Sequence, residues 1–416
     1  MLPAYAKAHD LPFSVREGWL TGCLDAITKG SGGDNKIELG VCFPATGDIA
    51  FSSEVIDGVT YYGFVEDLDH PEIYDGTVEN RFHVILDDFK PDILHIFGTE
   101  FPHTLAMLRA FGNPEKTLLG IQGVCGVIAD EYMANLPEEV QNAATFRDKL
   151  KKDSLLQQQE KYKIRGEHER ESIMLTGNVT GRTAFDKEVT EGINPGAKYF
   201  AMNETMRPCF YEGKWESSAA EPHSIFLSQG DYPLKGFHFV LEAMPVILEK
   251  YPDAHLYVAG NNIIGKGNSK YPYFLRASAY GKYIKKLLRK YKLKKHVTML
   301  GSLDADGMKA QFLKSAVFLC PSIVENSPNS VGEAMLLGVP VVAANVGGIP
   351  SMITNSKEGI LFDKADSDKL AASILQVFDE PVIAGIYGEN ARKRAFSTHD
   401  AEANYKRLME IYSCIA

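Results

Sequence analysis

Short apolar runs recur along the chain and alternate with longer stretches in which apolar positions return every three or four residues. The first pattern reads as buried strands, the second as helices with one face on a sheet. In the first half the runs predict strands at 37–43, 93–97, 118–121, 172–176 and 199–202. In the second half they predict strands at 224–227, 255–258, 297–300, 317–320 and 339–343. Helical periodicity covers 236–250, 307–314 and 401–415. Strands alternating with helices imply an α/β fold with parallel sheets. A chain of 416 residues has length for two such doubly wound domains.

The stretch 209–222 breaks the pattern. It lacks periodicity and is rich in small polar residues, which suits a linker. It divides a first domain, 1–208, from a second, 223–390, with closing helices over 391–416.

The segment with most chemical content follows the 317–320 strand. Glu325 and Glu333 stand eight positions apart, separated by Asn326, Ser327, Pro328, Asn329, Ser330, Val331 and Gly332. A polar, Pro-containing turn here opens into a helix that ends at Gly338, and a further strand follows. Ligands bind at the carboxyl ends of strands in open parallel sheets. Free amides at a helix start attract phosphate, and carboxylates accept hydrogen bonds from sugar hydroxyls. Glu325 is thus placed to hold a sugar and Glu333 a ribose. Ser330 and Glu333 also have capping-box spacing, which structures a helix start without any ligand, so both readings stand.

From Glu325 to Glu333, and on through Ala334, Met335, Leu336, Leu337, Gly338, Val339 and Pro340, the chain resembles the donor-site signature of glycosyltransferase family 4. Gly347-Gly348-Ile349-Pro350 and Glu358-Gly359-Ile360-Leu361-Phe362 fit the continuation. The resemblance is strong over 220–400 and looser before it. It implies a GT-B architecture: two Rossmann-like domains facing a cleft, with the C-terminal helix crossing back to the first domain. It also implies retaining transfer from a UDP-sugar, or secondly a GDP-sugar, to a glycan or lipid-linked acceptor. No metal or other cofactor is expected.

The resemblance assigns further roles. Lys235 and Gly236 match a lysine-glycine pair that holds the donor diphosphate, whereas Gln229 stands where an arginine is expected. A lysine at a helix start opposes the dipole, which favours a bound anion there. With Glu325 and Asn326, Lys235 makes up the expected catalytic group; the turn residues Ser327 to Val331 complete the donor site. Gly18 is suited to let a backbone amide approach the diphosphate. Gln122 occupies the place of a sugar-touching histidine, and with Gly123, His95 and Arg182 it forms the expected acceptor side. His95 reads equally as a histidine embedded in its strand. The resemblance further implies an apolar strand ahead of the helix near Gly18. None is legible in Met1-Leu2-Pro3-Ala4-Tyr5, so that first strand is expected to be missing.

Charge and composition narrow the partners. The 44 basic and 54 acidic residues leave a net charge of −10, which disfavours nucleic acid. Six scattered cysteines, with no C-x-x-C pair, suit reduced thiols in a cytoplasmic setting and argue against zinc. Two basic segments, 282–295 and 146–170, read as solvated helix faces or as contacts with anionic lipid. Of the two, 146–170 is the expected peripheral contact at the inner face of a membrane. A non-hydrolysing sugar-nucleotide epimerase and a catalytically silent sugar-binding protein remain as alternatives.

Overall fold

The computed structural model describes residues 3–11, 18–30, 37–265, 272 and 275–416. It divides into two compact units, each α/β. The first comprises Met1–Gly126, Lys161–Arg207 and His399–Ala416; the second comprises Val127–Glu160 and Pro208–Thr398.

The first unit holds two sheets. In one, β1 (Leu39–Pro44) runs parallel to β3 (Val59–Phe64), and β2 (Ser53–Ile56) pairs antiparallel with β3. The β2–β3 hairpin was not among the predicted strands, although its Asp57-Gly58 turn carries the signal. Both residues have positive φ, 51° and 79°, as a tight hairpin turn requires. The other sheet is fully parallel, in the order β4 (Leu94–Phe97), β5 (Thr117–Gly120), β6 (Asn178–Gly181), β7 (Lys198–Ala201). The strand expected at 172–176 is instead the end of a helix, Leu155–Met174, and the strand proper starts at Asn178. The Ser172 hydroxyl donates back to the His168 carbonyl, one helical turn earlier. Among the described residues β1 is the first strand; helices at Pro3–Ala8 and Gly18–Gly30 precede it.

The last helix, Ala401–Ile415, packs on this sheet. Ile411 and Ile415 join Leu118 and Phe200 in one apolar cluster, and Arg407 Nε donates to the Ala201 carbonyl at the end of β7.

The second unit is built on a six-stranded parallel sheet ordered β10-β9-β8-β11-β12-β13. The strands are β8 (Glu221–Leu227), β9 (His255–Ala259), β10 (Val297–Gly301), β11 (Ser315–Cys320), β12 (Val341–Ala344) and β13 (Ile360–Phe362). From β8 the chain winds outward through β9 and β10, then returns to the other side of β8 as β11. That reversal is a topological switch point, where a crevice opens at the strands' carboxyl ends. Leu227 of β8 pairs with Leu319 of β11, so the two strand ends are level.

Val127–Glu160 lies within the expected first domain, 1–208, but packs with the second unit. Polar contacts explain this placement. His238 Nε2 lies 2.9 Å from the Ala134 carbonyl, and Asp148 accepts the Ala279 amide at 2.9 Å. The expected linker is also anchored there: Trp215 is buried, and its indole donates to the Ser315 carbonyl at 2.8 Å.

Candidate functional site

At the switch point the loop after β8 meets the loop after β11. Lys235 closes a 3₁₀ turn, Pro233–Lys235, and its ammonium lies 2.5 Å from Oε1 of Glu325. The Ser322 hydroxyl donates to the same oxygen at 2.7 Å. Both charged side chains are largely enclosed, with 21% of the lysine and 11% of the glutamate exposed. Burial disfavours the ammonium, but the adjacent Glu325 carboxylate overrides it, and the Lys235 pKa is raised.

Two glycines permit this approach. Gly236 has φ +70°, and a Cβ there would lie 2.1 Å from the Pro321 carbonyl oxygen. Gly347 has φ +48°, and a Cβ there would lie 2.0 Å from the Glu325 carbonyl oxygen. The Gly348 amide donates to that same carbonyl at 3.0 Å, fixing the backbone of Glu325.

Beyond Glu325, Asn326 is buried and the Ser327 hydroxyl lies 3.7 Å from Met352 Sδ. The helix begins at Asn329, with Pro328 as its N-cap and no side chain capping that end. Ser330 and Glu333 therefore do not form the capping box their spacing allows. The cap falls two residues earlier, and both lie inside the helix. Val331 and Glu333 are buried, Glu333 to 3% exposure. The Oδ1 atom of Asn329 is enclosed without a hydrogen-bond partner.

Gln229 stands two residues past the end of β8, and its Cγ would lie 3.5 Å from a Cβ built at Gly260. Asp231, which sequence reasoning passed over, sits beside it. One oxygen accepts from the Asn261 side chain at 2.7 Å, and the other is enclosed and unpartnered. The signal for it was the Gly230-Asp231 turn at the end of a buried strand.

In the first unit Gln122 and Arg182 converge on Glu204, another residue not anticipated. Gln122 Nε2 donates to Glu204 Oε1 at 2.7 Å, Arg182 pairs with Glu204 Oε2, and Arg182 also donates to Gln122 Oε1 at 3.1 Å. Burial pushes the Glu204 carboxyl up, against the opposing pull of Arg182. The Gly123 amide donates to Glu100 Oε1 at 2.6 Å. His95 stands apart from this group. Its Nδ1 lies 2.8 Å from the Tyr412 hydroxyl, its ring stacks on Phe97, and burial pushes its pKa down to about 3. It is a neutral strand histidine against the last helix, not a member of the Gln122 cluster. Gly18 opens the Gly18–Gly30 helix, while the loop before it, 12–17, lies outside the described residues. Among the described residues no group of three or more His, Cys, Asp or Glu side chains is arranged to hold a metal ion.

Residues 212–394 match the family model described as "Glycosyl transferases group 1". Curated relatives include a phosphatidyl-myo-inositol mannosyltransferase of Mycobacterium leprae, 28% identical over 46% of this chain and 46% of that protein. A glycogen synthase of Mycobacterium tuberculosis is 23% identical over 56% of this chain and 53% of its own length. The chain thus spans about half the length of the curated relatives it matches. Among solved structures, sucrose-phosphate synthase from Thermosynechococcus elongatus superposes with a TM-score of 0.67 at 15% identity, covering 95% of this chain and 92% of that one. Anabaena HepE in complex with UDP and glucose gives 0.63 at 14% identity, covering 94% and 95%. At such identities the likeness is one of fold. The chain therefore has the GT-B fold along nearly its whole length and resembles the group 1 glycosyltransferases through residues 212–394.

Proposed function

We propose that this protein transfers a sugar, with retention of anomeric configuration, from a nucleoside diphosphate to a hydroxyl of a glycan or lipid-linked acceptor. The observation that carries the proposal is the Lys235–Glu325 pair at the switch point, beside a helix start that no side chain caps. A cation and free amides suit a diphosphate, while a carboxylate suits sugar hydroxyls. UDP is the favoured carrier, since the HepE structure was solved with it, and GDP is second.

Glu325 and Asn326 position the sugar. Lys235, Gln229, Gly236 and the turn from Ser327 to Val331 hold the diphosphate, and Glu333 holds the ribose. The bond from the anomeric carbon to the phosphate oxygen breaks as the acceptor oxygen attacks the same face. The departing phosphate takes the acceptor's proton. Fixed donors aimed at the departing charge are each worth about 2.7–4 kcal/mol in such sites, so no metal is required in this reading. On the acceptor side the Gln122–Arg182–Glu204 cluster presents polar groups from the ends of β5 and β6. Peripheral contact with the inner face of a membrane, through residues 146–170, completes the proposal.

The test is incubation with UDP- and GDP-sugars and a candidate acceptor, with and without chelator, following released nucleotide and the product's anomeric proton by NMR. An α-linked donor giving an α-linked product despite chelator supports the reading. An inverted product overturns retention. Conversion of the donor sugar with no acceptor present would assign an epimerase instead.

A further inference from the structure

In the first unit the segment leaving β4 turns at Gly98, φ +91°, and runs through Thr99, Glu100 and Phe101 into the helix Pro102–Phe111. Arg165, from the helix Leu155–Met174, reaches this segment. Its Nε donates to the Glu100 carbonyl at 2.9 Å. Its guanidinium carbon lies 4.4 Å from the centre of the Tyr162 ring and 5.9 Å from that of Phe101.

One backbone bond and two rings thus fix the guanidinium, yet among the described residues no carboxylate pairs with it. Other cations of this unit each have an acid: Lys161 pairs with Glu72 at 3.0 Å, Arg109 with Glu171 at 2.6 Å, and Arg182 with Glu204. Two acids share the surroundings of Arg165, and both are satisfied elsewhere. Glu100 gives its oxygens to the Gly123 and Thr99 amides, at 2.6 and 2.9 Å. Buried Glu169 accepts from the Thr99 hydroxyl and the Cys125 and Gly126 amides. A fixed guanidinium with its terminal nitrogens uncommitted suits an oxyanion, which its planar fork grips through two parallel hydrogen bonds.

A second fixed group stands beside it. His103, in the first turn of the helix Pro102–Phe111, donates its amide and its Nδ1 to Glu66, at 2.9 and 2.6 Å. The Glu66 side chain is 5% exposed and that of His103 23%, so a buried carboxylate anchors a ring that still reaches solvent. Nε2 takes no part in that contact and is left for a ligand. The His103 and Phe101 rings are nearly parallel, 11° apart in plane and 5.8 Å between centres. Glu100 joins these groups to the Gln122 loop, since its carbonyl holds Arg165 and its carboxylate holds the Gly123 amide. All of this lies past the carboxyl ends of β4 and β5, the edge at which open parallel sheets bind ligands.

We propose that Arg165, with Phe101, Tyr162 and His103, forms a second acceptor subsite that takes an oxyanion carried by the acceptor sugar, a phosphate or a uronic carboxylate. Arg165 pairs with the oxyanion, the sugar ring packs on Phe101, and His103 Nε2 meets a hydroxyl. The subsite rests on the glycosyl-transfer reading for calling its ligand an acceptor, but it is tested without transfer.

Full-length protein saturated with UDP, which occupies Lys235, is titrated calorimetrically with glucose 6-phosphate, glucuronate and glucose. At least one anionic sugar should bind about tenfold more tightly than glucose or better, and which one does so tells phosphate from carboxylate. Arg165→Gln should reduce that affinity to the level of glucose. Arg165→Lys keeps the charge but loses the planar fork, so it should fall between the two. Every variant should keep the wild-type melting shift with UDP, which reports the donor site separately, so failure of the donor reading shows there and not in the sugar titration. Wild type binding the anionic sugars no better than glucose overturns the proposal, as does Arg165→Gln binding them as wild type does. Should Arg165→Gln not fold, undiminished binding by Arg165→Lys overturns it.

Discussion

The Lys235 ammonium and the Glu325 carboxylate are each other's counter-ion across 2.5 Å. On the proposed function, a diphosphate binding at Lys235 would compete with Glu325 for that cation and free the glutamate to turn toward a sugar's hydroxyls. That reading couples donor binding to release of the carboxylate.

Removing one partner of an enclosed pair leaves an uncompensated charge. Glu325→Gln should nearly abolish transfer and lower stability by about 3 kcal/mol, since the ammonium remains. Nucleoside diphosphate should restore most of that loss by neutralising Lys235. Melting curves with and without the nucleotide check this; a variant destabilised equally in both would deny the shared cation.

Lys235→Ala should weaken nucleoside diphosphate by about tenfold to a hundredfold, the value of a charge-assisted hydrogen bond, and leave the bare nucleoside nearly unaffected. Calorimetric titration of both ligands decides it. Equal weakening would remove Lys235 from the diphosphate contact.

Gly347→Ala and Gly236→Ala should each cost about 2 kcal/mol or more, because both combine positive φ with a carbonyl oxygen where the methyl must go. Gly385→Ala is the control: it lies in a helix with nothing near its Cβ position and should be neutral or stabilising by up to about 1 kcal/mol. Chemical denaturation of the three variants tests the contrast.

Two buried groups set opposite pH dependences. Burial pushes His238 from 6.5 down to about 4, so the unfolded chain binds the proton first. That stability is present above pH 6.5 and is lost as pH falls through about 4, a contribution of about 3 kcal/mol. Burial pushes Glu169 from 4.5 up to about 7, despite hydrogen bonds from Thr99 and the Cys125 and Gly126 amides. Here the folded chain holds the proton, so stability falls as pH rises from about 4.5 to about 7. His238→Gln should flatten the first window and Glu169→Gln the second, read as unfolding free energy at a series of pH values. An unchanged slope in either variant removes that assignment.

The sequence by itself determined the α/β class and nearly every strand of the second sheet, because strands buried on both faces are written as continuous apolar runs. Glu325 was marked by its place in the turn after a predicted strand, and Lys235 and Gly236 by the family resemblance. Periodicity failed at 172–176, where an apolar run of strand length closes a helix instead; period alone does not separate the two. The capping box that Ser330 and Glu333 offered, one of two readings left open, is not formed, because the helix already starts after Pro328.

Only the tertiary structure joined β8 to β11 and so brought Lys235 to Glu325, 90 positions apart in the chain. It likewise assigned Val127–Glu160 to the second unit, tied Gln122 and Arg182 to Glu204, and turned His95 toward Tyr412. These are long-range polar pairings. A carboxylate's partner depends on which side chains share its enclosure, and no local pattern of hydrophobicity records that.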